Sequence, residues 1–340
     1  MPASLSDVAR LVQVSISTVS RALHRPEMVD ADTRARVQAA VDALGYVPQG
    51  VGRALVSRQT HTVGAVIAQI GASAFAKTIE ALRGRLGQAG YTLLLAQPQQ
   101  ADPAHNDPLR ALIGRGIDAA VLLGGPCPDA WRDLVRKSRM PLVTIWADAA
   151  SAQDGDVGFD NYQAGRQAAE HLLSLGHRDF AMISGVRQHN ERAARRYLGV
   201  LETVAAAGGR LAREHVIETE YGFANGHATA GRLLARGGRF SAIVCGNDYL
   251  AIGVLAALRE QGIQVPGDVS VIGFNDTEFS PFACPPLTTV ALPSADIGQR
   301  AAEALLHALE HHGKVPAPIM LPTGLVARAS TGRYGAPTGL

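Results

Sequence analysis

LSDVARLVQVSISTVSRAL, residues 5–23, carries apolar side chains at Val8, Ala9, Val12, Val14, Val19 and Leu23. Spacings of three and four place these on one face of two short helices broken at Gln13 and Val14, which is the sequence form of a helix-turn-helix. Start signals agree with the periodicity. Ser4 with Asp7 three residues later has the form of a capping box, Ser15 offers its hydroxyl as a cap, and Asp30 puts a carboxylate at the positive end of a third helix. The pattern predicts helices over 4–12, 15–23 and 30–44, with Val37, Val41 and Leu44 completing a small core. A unit of about 45 residues buries little surface and is marginally stable alone.

Beyond this unit the pattern changes in kind. From Val63 onward, apolar strand-like runs alternate with amphipathic helical stretches, which argues for parallel sheets covered by helices. Strands are expected at 63–67, 91–96, 119–123, 142–145, 180–183, 242–245 and 269–274, and helices at 75–89, 164–175, 192–207 and 249–261. Gly90, Gly116, Gly176 and Gly262 each stand between a helix and the next strand, where a left-handed residue closes the helix. Seven strands or more fit two α/β lobes with a ligand cleft between them, at the carboxyl ends of the strands. The fold class is α/β, with a three-helix N-terminal headpiece and a two-lobe core.

Composition narrows the function classes. The chain has 340 residues, 47% of them apolar, which is ordinary for globular structure and, at about 150 residues per domain, implies two or three domains. Of 32 Lys+Arg and 30 Asp+Glu, the first 60 residues hold seven arginines and five acids, so the whole surplus of +2 is N-terminal. Such a margin does not drive non-specific nucleic-acid binding, which needs several phosphates neutralised at once. Any DNA contact must be local and doubled by dimerisation. Cys127, Cys245 and Cys284 are odd in number and lack metal-ligand spacing, so neither a disulfide framework nor a zinc site is expected. MPASLSDVAR places Asp7 and Arg10 where a signal peptide needs apolar residues, and no run approaches a membrane span. A cytoplasmic protein with no membrane partner is the expectation. A Walker loop, a GxGxxG after the first strand and a GxSxG elbow are all missing, which argues against an enzyme and against a cofactor.

Residues 5–48, ending TRARVQAAVDALGYVP, resemble the headpiece of the lactose/galactose repressor (LacI/GalR) family of bacterial transcription regulators. The resemblance continues through VGFDN (157–161), LGHRDFAMISG (175–185), GNDYLAIG (246–253), VPGDVSVIGFND (265–276) and PPLTTV (285–290). Within the family it looks nearest to the gluconate-repressor group, through RPEMV (25–29), VGFDNYQAGRQ and the Glu191-Arg192 pair. The family usually has glycine in the headpiece turn where this chain has Gln13. The resemblance implies a headpiece over 1–48, a hinge over 49–60 and a core over 61–340. Within that core, lobe 1 is expected near 61–161 and 291–320, and lobe 2 near 162–290 and 321–331.

The same resemblance assigns roles. Ile16 and Ser17 match the family's specificity pair and Arg21 a base or phosphate contact, with Ser6 and Thr18 alongside. The chemistry suits those positions: Ile16 offers apolar contact to a thymine methyl, Ser17 bonds either way, and Arg21 can grip guanine with two bonds. In the hinge, Arg53 belongs to the DNA-binding set, and Leu55 matches a leucine wedged into the minor groove. Gly50 and Gly52, at about 1 kcal/mol of helix propensity each, predict a hinge that orders only on DNA.

The core resembles the periplasmic sugar-binding fold. Phe75 matches an aromatic that stacks on the effector, and Asp160 and Asn161 match the polar pair after the crossing strand. Arg196 matches a ligand-binding arginine, Asn247 and Asp248 belong to the NDxxAxG site, and Trp146 stands near the cleft. Asn275 occupies a position that is commonly an aspartate holding sugar hydroxyls. Losing that carboxylate while keeping Arg196 favours an anionic ligand, because an arginine fork matches carboxylate and phosphate. A sugar acid such as gluconate or a ketogluconate is expected first, a phosphorylated sugar acid next. His171, His177 and His189 lack ligand spacing and read as surface or turn residues, with no metal site. The expected partners are a pseudo-palindromic operator, a small acid effector and a second copy of the chain, with a tetramer as the larger option. A sugar-binding transport component shares the core, but the headpiece and the N-terminal sequence speak against it.

Overall fold

The computed structural model describes residues 3–47, 59–67, 73–98, 107–124 and 128–335. The chain divides into two compact units, Met1–Thr60 and His61–Leu340.

In the first unit, helices α1 (Leu5–Val12), α2 (Ile16–His24) and α3 (Ala31–Leu44) follow the predicted order, with a 3-10 turn at Pro26–Met28. Both halves of the α1 capping box form: Ser4 Oγ accepts from the Asp7 N–H, and the Asp7 carboxylate accepts from the Ser4 N–H. Asp30 Oδ1 accepts from the Thr33 N–H at 2.9 Å to cap α3. Gln13 adopts the left-handed conformation (φ 59°, ψ 43°), so the turn keeps the geometry that glycine would supply more cheaply. Val8, Ala9, Val12, Val19, Val37 and Val41 form the buried core, joined by Ala22 and Ala40. Leu44, expected inside, is 37% exposed. It ends α3 just before left-handed Gly45, and Tyr46 and Val29 pack on the core instead. Arg36 Nη2 donates to the Val12 carbonyl at 2.6 Å, tying α3 to the end of α1.

The second unit contains two six-stranded sheets. One has the order β11-β5-β4-β3-β1-β2, from β1 (Thr62–Val66), β2 (Thr92–Ala96), β3 (Ala119–Leu123), β4 (Leu142–Asp148), β5 (Asp156–Phe159) and β11 (Ile319–Met320). The other has the order β12-β10-β9-β8-β6-β7, from β6 (Asp179–Gly185), β7 (Arg210–Thr219), β8 (Ala242–Cys245), β9 (Ser270–Asn275), β10 (Thr288–Ala291) and β12 (Gly324–Val326). Every pairing is parallel except β10 with β12. Strand β7 was not foreseen. It is an edge strand with exposed charged residues and therefore lacks the apolar run that betrays a central strand.

The helices of this unit are α4 (Ser73–Gln88), α5 (Pro108–Gly114), α6 (Asp129–Ser138), α7 (Asn161–Ser174), α8 (Glu191–Ala206), α9 (Phe223–Ala235), α10 (Asp248–Glu260) and α11 (Ser294–Glu310). The chain passes between sheets three times: after β5, after β10 and between β11 and β12. Phe159, Phe180, Phe274, Leu172 and Leu305 are fully buried among the side chains of the main core. Helices α7 and α8 pack side by side through Gly165 and Gly199. A methyl group at Gly165 would run into the backbone carbonyl of Arg196, and one at Gly199 into that of Tyr162. Because Gly165 sets how closely α7 approaches the turn that carries Arg196, Gly165→Ala is expected to lower unfolding free energy by about 1–3 kcal/mol. Urea denaturation of the full chain measures this; an unchanged midpoint contradicts the close approach. Among the described residues no helix is long and apolar enough to cross a membrane.

Candidate functional site

On the first unit, helix α2 presents one face to solvent. Ser15 caps it, its Oγ accepting from the Thr18 N–H at 3.1 Å while lying 2.8 Å from both the Ser17 and Thr18 hydroxyls. The cap fixes the first turn, and Ile16 stands there 52% exposed although it is a large apolar residue. Ser17 and Arg21, four residues apart on the same side, are also exposed. Val19 and Ala22 take the inward positions. Ser6 is exposed on α1, its hydroxyl 2.7 Å from that of Ser4, whereas Thr18 is half-buried within the cap. This face has the composition a major-groove reader needs: an apolar group, a hydroxyl and a guanidinium within two turns. Arg53 and Leu55, and with them the expected hinge, lie outside the described residues.

In the second unit, strand order reverses between β1 and β3 in one sheet and between β6 and β8 in the other, and the crevices at those switch points are where open α/β sheets bind ligands. A cleft of about 860 Å³ sits there. Its walls come from residues just beyond strand ends: Gln97 after β2, Val186 after β6, Glu220 and Tyr221 after β7, Asn247 after β8. Phe75, Trp146, Arg196, Asn247 and Asn275 of the expected effector set all line it.

Arg196 is 7% exposed, with its Cζ 5.3 Å from the Phe274 ring centroid. Its Nη1 donates to the Gly246 carbonyl at 2.9 Å and its Nε to the Arg192 carbonyl at 3.3 Å. Two of five N–H donors are thereby used, and the rest of the fork is held rigid for a ligand. Asn247 caps α10, its Oδ1 accepting from the Leu250 N–H at 2.9 Å. Trp146 sits at a register shift between β4 and β5, with φ 61°. That bulge turns the indole onto Phe75, edge to face at a centroid distance of 5.0 Å, and its Nε1 donates to Thr78 Oγ1 at 3.1 Å. At 3% exposure Trp146 supports Phe75 from behind as much as it faces the cleft. Asn275 ends β9 with φ 112°.

Three expected cleft residues are placed elsewhere. Asp160 accepts from the Gln163 N–H at 3.0 Å and so caps α7. Asn161 is fully buried at the crossing after β5, where its backbone N–H and its Nδ2 both donate to Asp148 Oδ2, at 3.1 and 2.9 Å. Neither lines the cleft, because both stand where the chain passes between lobes, and their donors and caps are used in that passage. Asp248 is fully buried, accepting from the Thr277 N–H at 2.8 Å and from the hydroxyls of Ser280 and Thr289, each at 2.7 Å. Its carboxylate organises the segment that follows Asn275 at the end of β9. His177 is likewise no surface residue: it is buried, bonded to Ser241 Oγ at 2.9 Å and to the Gly332 carbonyl at 3.0 Å.

Burial pushes the Asp248 carboxyl from its ordinary 3.8 up to about 6, against the three donors that favour the charged form. The folded protein thus holds this proton more tightly than the unfolded chain, so the Asp248 contribution to stability falls as pH rises from 3.8 to about 6. Asp248→Asn is expected to lose that downward slope. Denaturant unfolding across this range measures it, and identical slopes in the two proteins would contradict the assignment.

The cleft also holds residues that the sequence reading left out of its effector set. Arg192, Glu220, Tyr221, Phe223, Tyr249 and Phe279 line it. Phe223 lies edge-on to Tyr249 at 4.8 Å and to Phe279 at 5.9 Å, making an aromatic wall. Only Arg192 had a signal in the sequence, through its place one turn before Arg196. The aromatics come from the turn after β7, the first turns of α9 and α10, and the segment after β9, whose convergence is tertiary. Among the described residues no group of three His, Cys, Asp or Glu side chains is arranged to hold a metal ion.

Residues 4–49 match the family model for bacterial regulatory proteins of the lacI family, and residues 169–331 match a periplasmic binding protein-like domain. The chain is 31% identical over 323 residues to the HTH-type transcriptional repressor PurR of Glaesserella parasuis serovar 5 (strain SH0165), covering 94% of each protein. It is 28% identical over 331 residues to catabolite control protein A of Priestia megaterium, covering 97% of this chain and all of that one. Among solved structures, a lac repressor dimer bound to operator and the anti-inducer ONPF superposes with a TM-score of 0.87 at 26% identity, covering 98% of this chain and 100% of that chain. These relatives reach across the family and do not single out the gluconate-repressor group. Headpiece, two-lobe core and relatives spanning nearly the full length agree: the chain belongs to the lacI family of bacterial regulatory proteins and is a DNA-binding transcriptional repressor, not an enzyme.

Proposed function

We propose that this repressor acts as a homodimer on a pseudo-palindromic operator and that its affinity for DNA is set by a small sugar acid bound in the cleft of the core. Ile16, Ser17 and Arg21 read base edges, Ser6 and Thr18 support the backbone contacts, and Arg53 and Leu55 engage the minor groove from the hinge. Two-fold symmetry doubles each contact, which compensates for the small charge surplus of one headpiece. The lac repressor relative, solved as a dimer on operator, supports this arrangement.

The observation that carries the effector class is the buried Arg196 fork in the cleft, with Asn275 in place of a carboxylate and no acidic partner within ion-pair distance among the described residues. A neutral sugar would leave that guanidinium uncompensated, whereas a carboxylate or phosphate matches it. Gluconate or a ketogluconate is the first choice and a phosphorylated sugar acid the second. The effector changes operator affinity only as far as it favours one lobe arrangement over another. A thermal-shift screen tests the class, since a ligand that binds the native state raises Tm. Gluconate or 6-phosphogluconate should raise it and glucose should not; a response to glucose alone would remove the acid assignment. Gel retardation of a selected palindromic site tests the DNA half.

A further inference from the structure

A second arginine in the cleft, Arg192, does something Arg196 does not. It belongs to the first turn of α8, in the lobe built on β6 to β10, yet its Nη1 donates to the carbonyl oxygen of Gly124, at the end of β3 in the other lobe. Its Cζ also stands 5.8 Å from the ring centroid of Phe75, on that same other lobe. Its neighbours reach across as well. Ser151 Oγ donates to Glu191 Oε2 at 3.2 Å, and Arg195 Nε lies 3.4 Å from Asp148 Oδ1. The opening turns of α8 are therefore where the second lobe grips the first, and of the three residues only Arg192 also lines the ligand cleft.

Its electrostatic position is unfavourable as it stands. Among the described residues no carboxylate lies within ion-pair distance of Arg192, and a backbone carbonyl offers only partial charge in return for a half-buried guanidinium. Desolvation and then the like charge of Arg196 push its pKa down from the ordinary arginine value. One donor is committed to Gly124, and the planar fork keeps four others. Two guanidinium groups one turn apart, both facing the cleft, leave a place for a group with several acceptor oxygens.

We propose that Arg192 is a lobe-bridging specificity residue: through Gly124 it ties the second lobe to the first, and beside Arg196 it makes the cleft require an oxyanion, carboxylate or phosphate, on the effector. The second half rests on the effector reading above; the bridge does not. Lysine is a point charge with three donors on one nitrogen, so it cannot hold a carbonyl and an oxyanion in the same plane.

The test uses the full chain as wild type, Arg192→Gln and Arg192→Lys. Hydrogen exchange over 119–124 and 191–197 is measured without ligand, and calorimetry follows with gluconate, 6-phosphogluconate and glucose. Both variants should exchange faster in these two segments at unchanged Tm. The glutamine variant should bind whichever acid the wild type binds about tenfold more weakly, or worse, as expected for loss of a hydrogen bond to a charged group. The lysine variant should fall between, and glucose should bind none of the three proteins. Unchanged exchange in both variants overturns the bridge, and unchanged acid affinity overturns the specificity role. If wild type binds neither acid while the variants still exchange faster, the sugar-acid reading and the oxyanion role fall and the bridge stands. A glutamine variant that fails to fold leaves the lysine variant to decide both arms.

Discussion

Arg196→Ala should weaken binding of the acid effector by about two to three orders of magnitude, the largest change expected from a single substitution in the core. The side chain is 7% exposed and is held by the carbonyls of Gly246 and Arg192 over the ring of Phe274. A fork fixed by two protein bonds meets its ligand with little rotamer entropy left to lose. A charge-assisted bidentate contact in a desolvated cleft is worth roughly 3–4 kcal/mol, which corresponds to that loss. Calorimetry with gluconate or 6-phosphogluconate measures it, beside the remote exposed change Lys137→Ala as a control. Equal losses in the two variants would remove the anionic assignment. A melting curve separates lost binding from lost packing, because Arg196 also fills space against Phe274.

Arg21→Ala should abolish detectable operator retardation while leaving effector affinity as in wild type. Arg21 is exposed on α2, one turn beyond Ser17. A bidentate arginine–guanine contact discriminates by about 1–3 kcal/mol, and a dimer loses it in both half-sites, about 2–6 kcal/mol in all. A phosphate contact would instead reduce affinity evenly across sequences and flatten the salt dependence. Gel retardation on matched and scrambled palindromes at two salt concentrations distinguishes the two. Unchanged retardation on the matched site would take Arg21 out of the reading face.

Much of this protein was legible before any coordinates. The headpiece could be read because each of its three helices has a side-chain cap and an apolar face at helical spacing, both encoded within a dozen residues. The core strands at the centres of the sheets were legible for the same reason: buried on both faces, they are continuous apolar runs. The edge strand β7 was not, since half of it faces water and its charged residues hide it. Arg196, Phe75, Trp146, Asn247 and Asn275, singled out in the sequence through its resemblance, line one cleft.

Asp160, Asn161 and Asp248 show where local reading stops. Each sits in a polar motif, yet each is engaged inside the protein: Asp160 accepts at the α7 cap, Asn161 donates through its N–H and Nδ2 to Asp148, and Asp248 accepts from the loop of Thr277 and Ser280. A polar side chain in a sequence has the same chemistry whether it serves a ligand or a crossing of the chain. Which of the two it serves depends on acceptors and donors far away in sequence, 13 residues for Asn161 and 41 for the Thr289 bond to Asp248.

By itself the sequence determined the headpiece helices, the central strands and the chemical character of the two functional faces, because caps, periodicity and apolar runs are local. Only the tertiary structure decided which polar groups remain free for a ligand and that Arg192 reaches Gly124 across the cleft. That is so because burial and hydrogen-bond satisfaction are properties of the packed chain, settled between residues that the sequence does not place side by side.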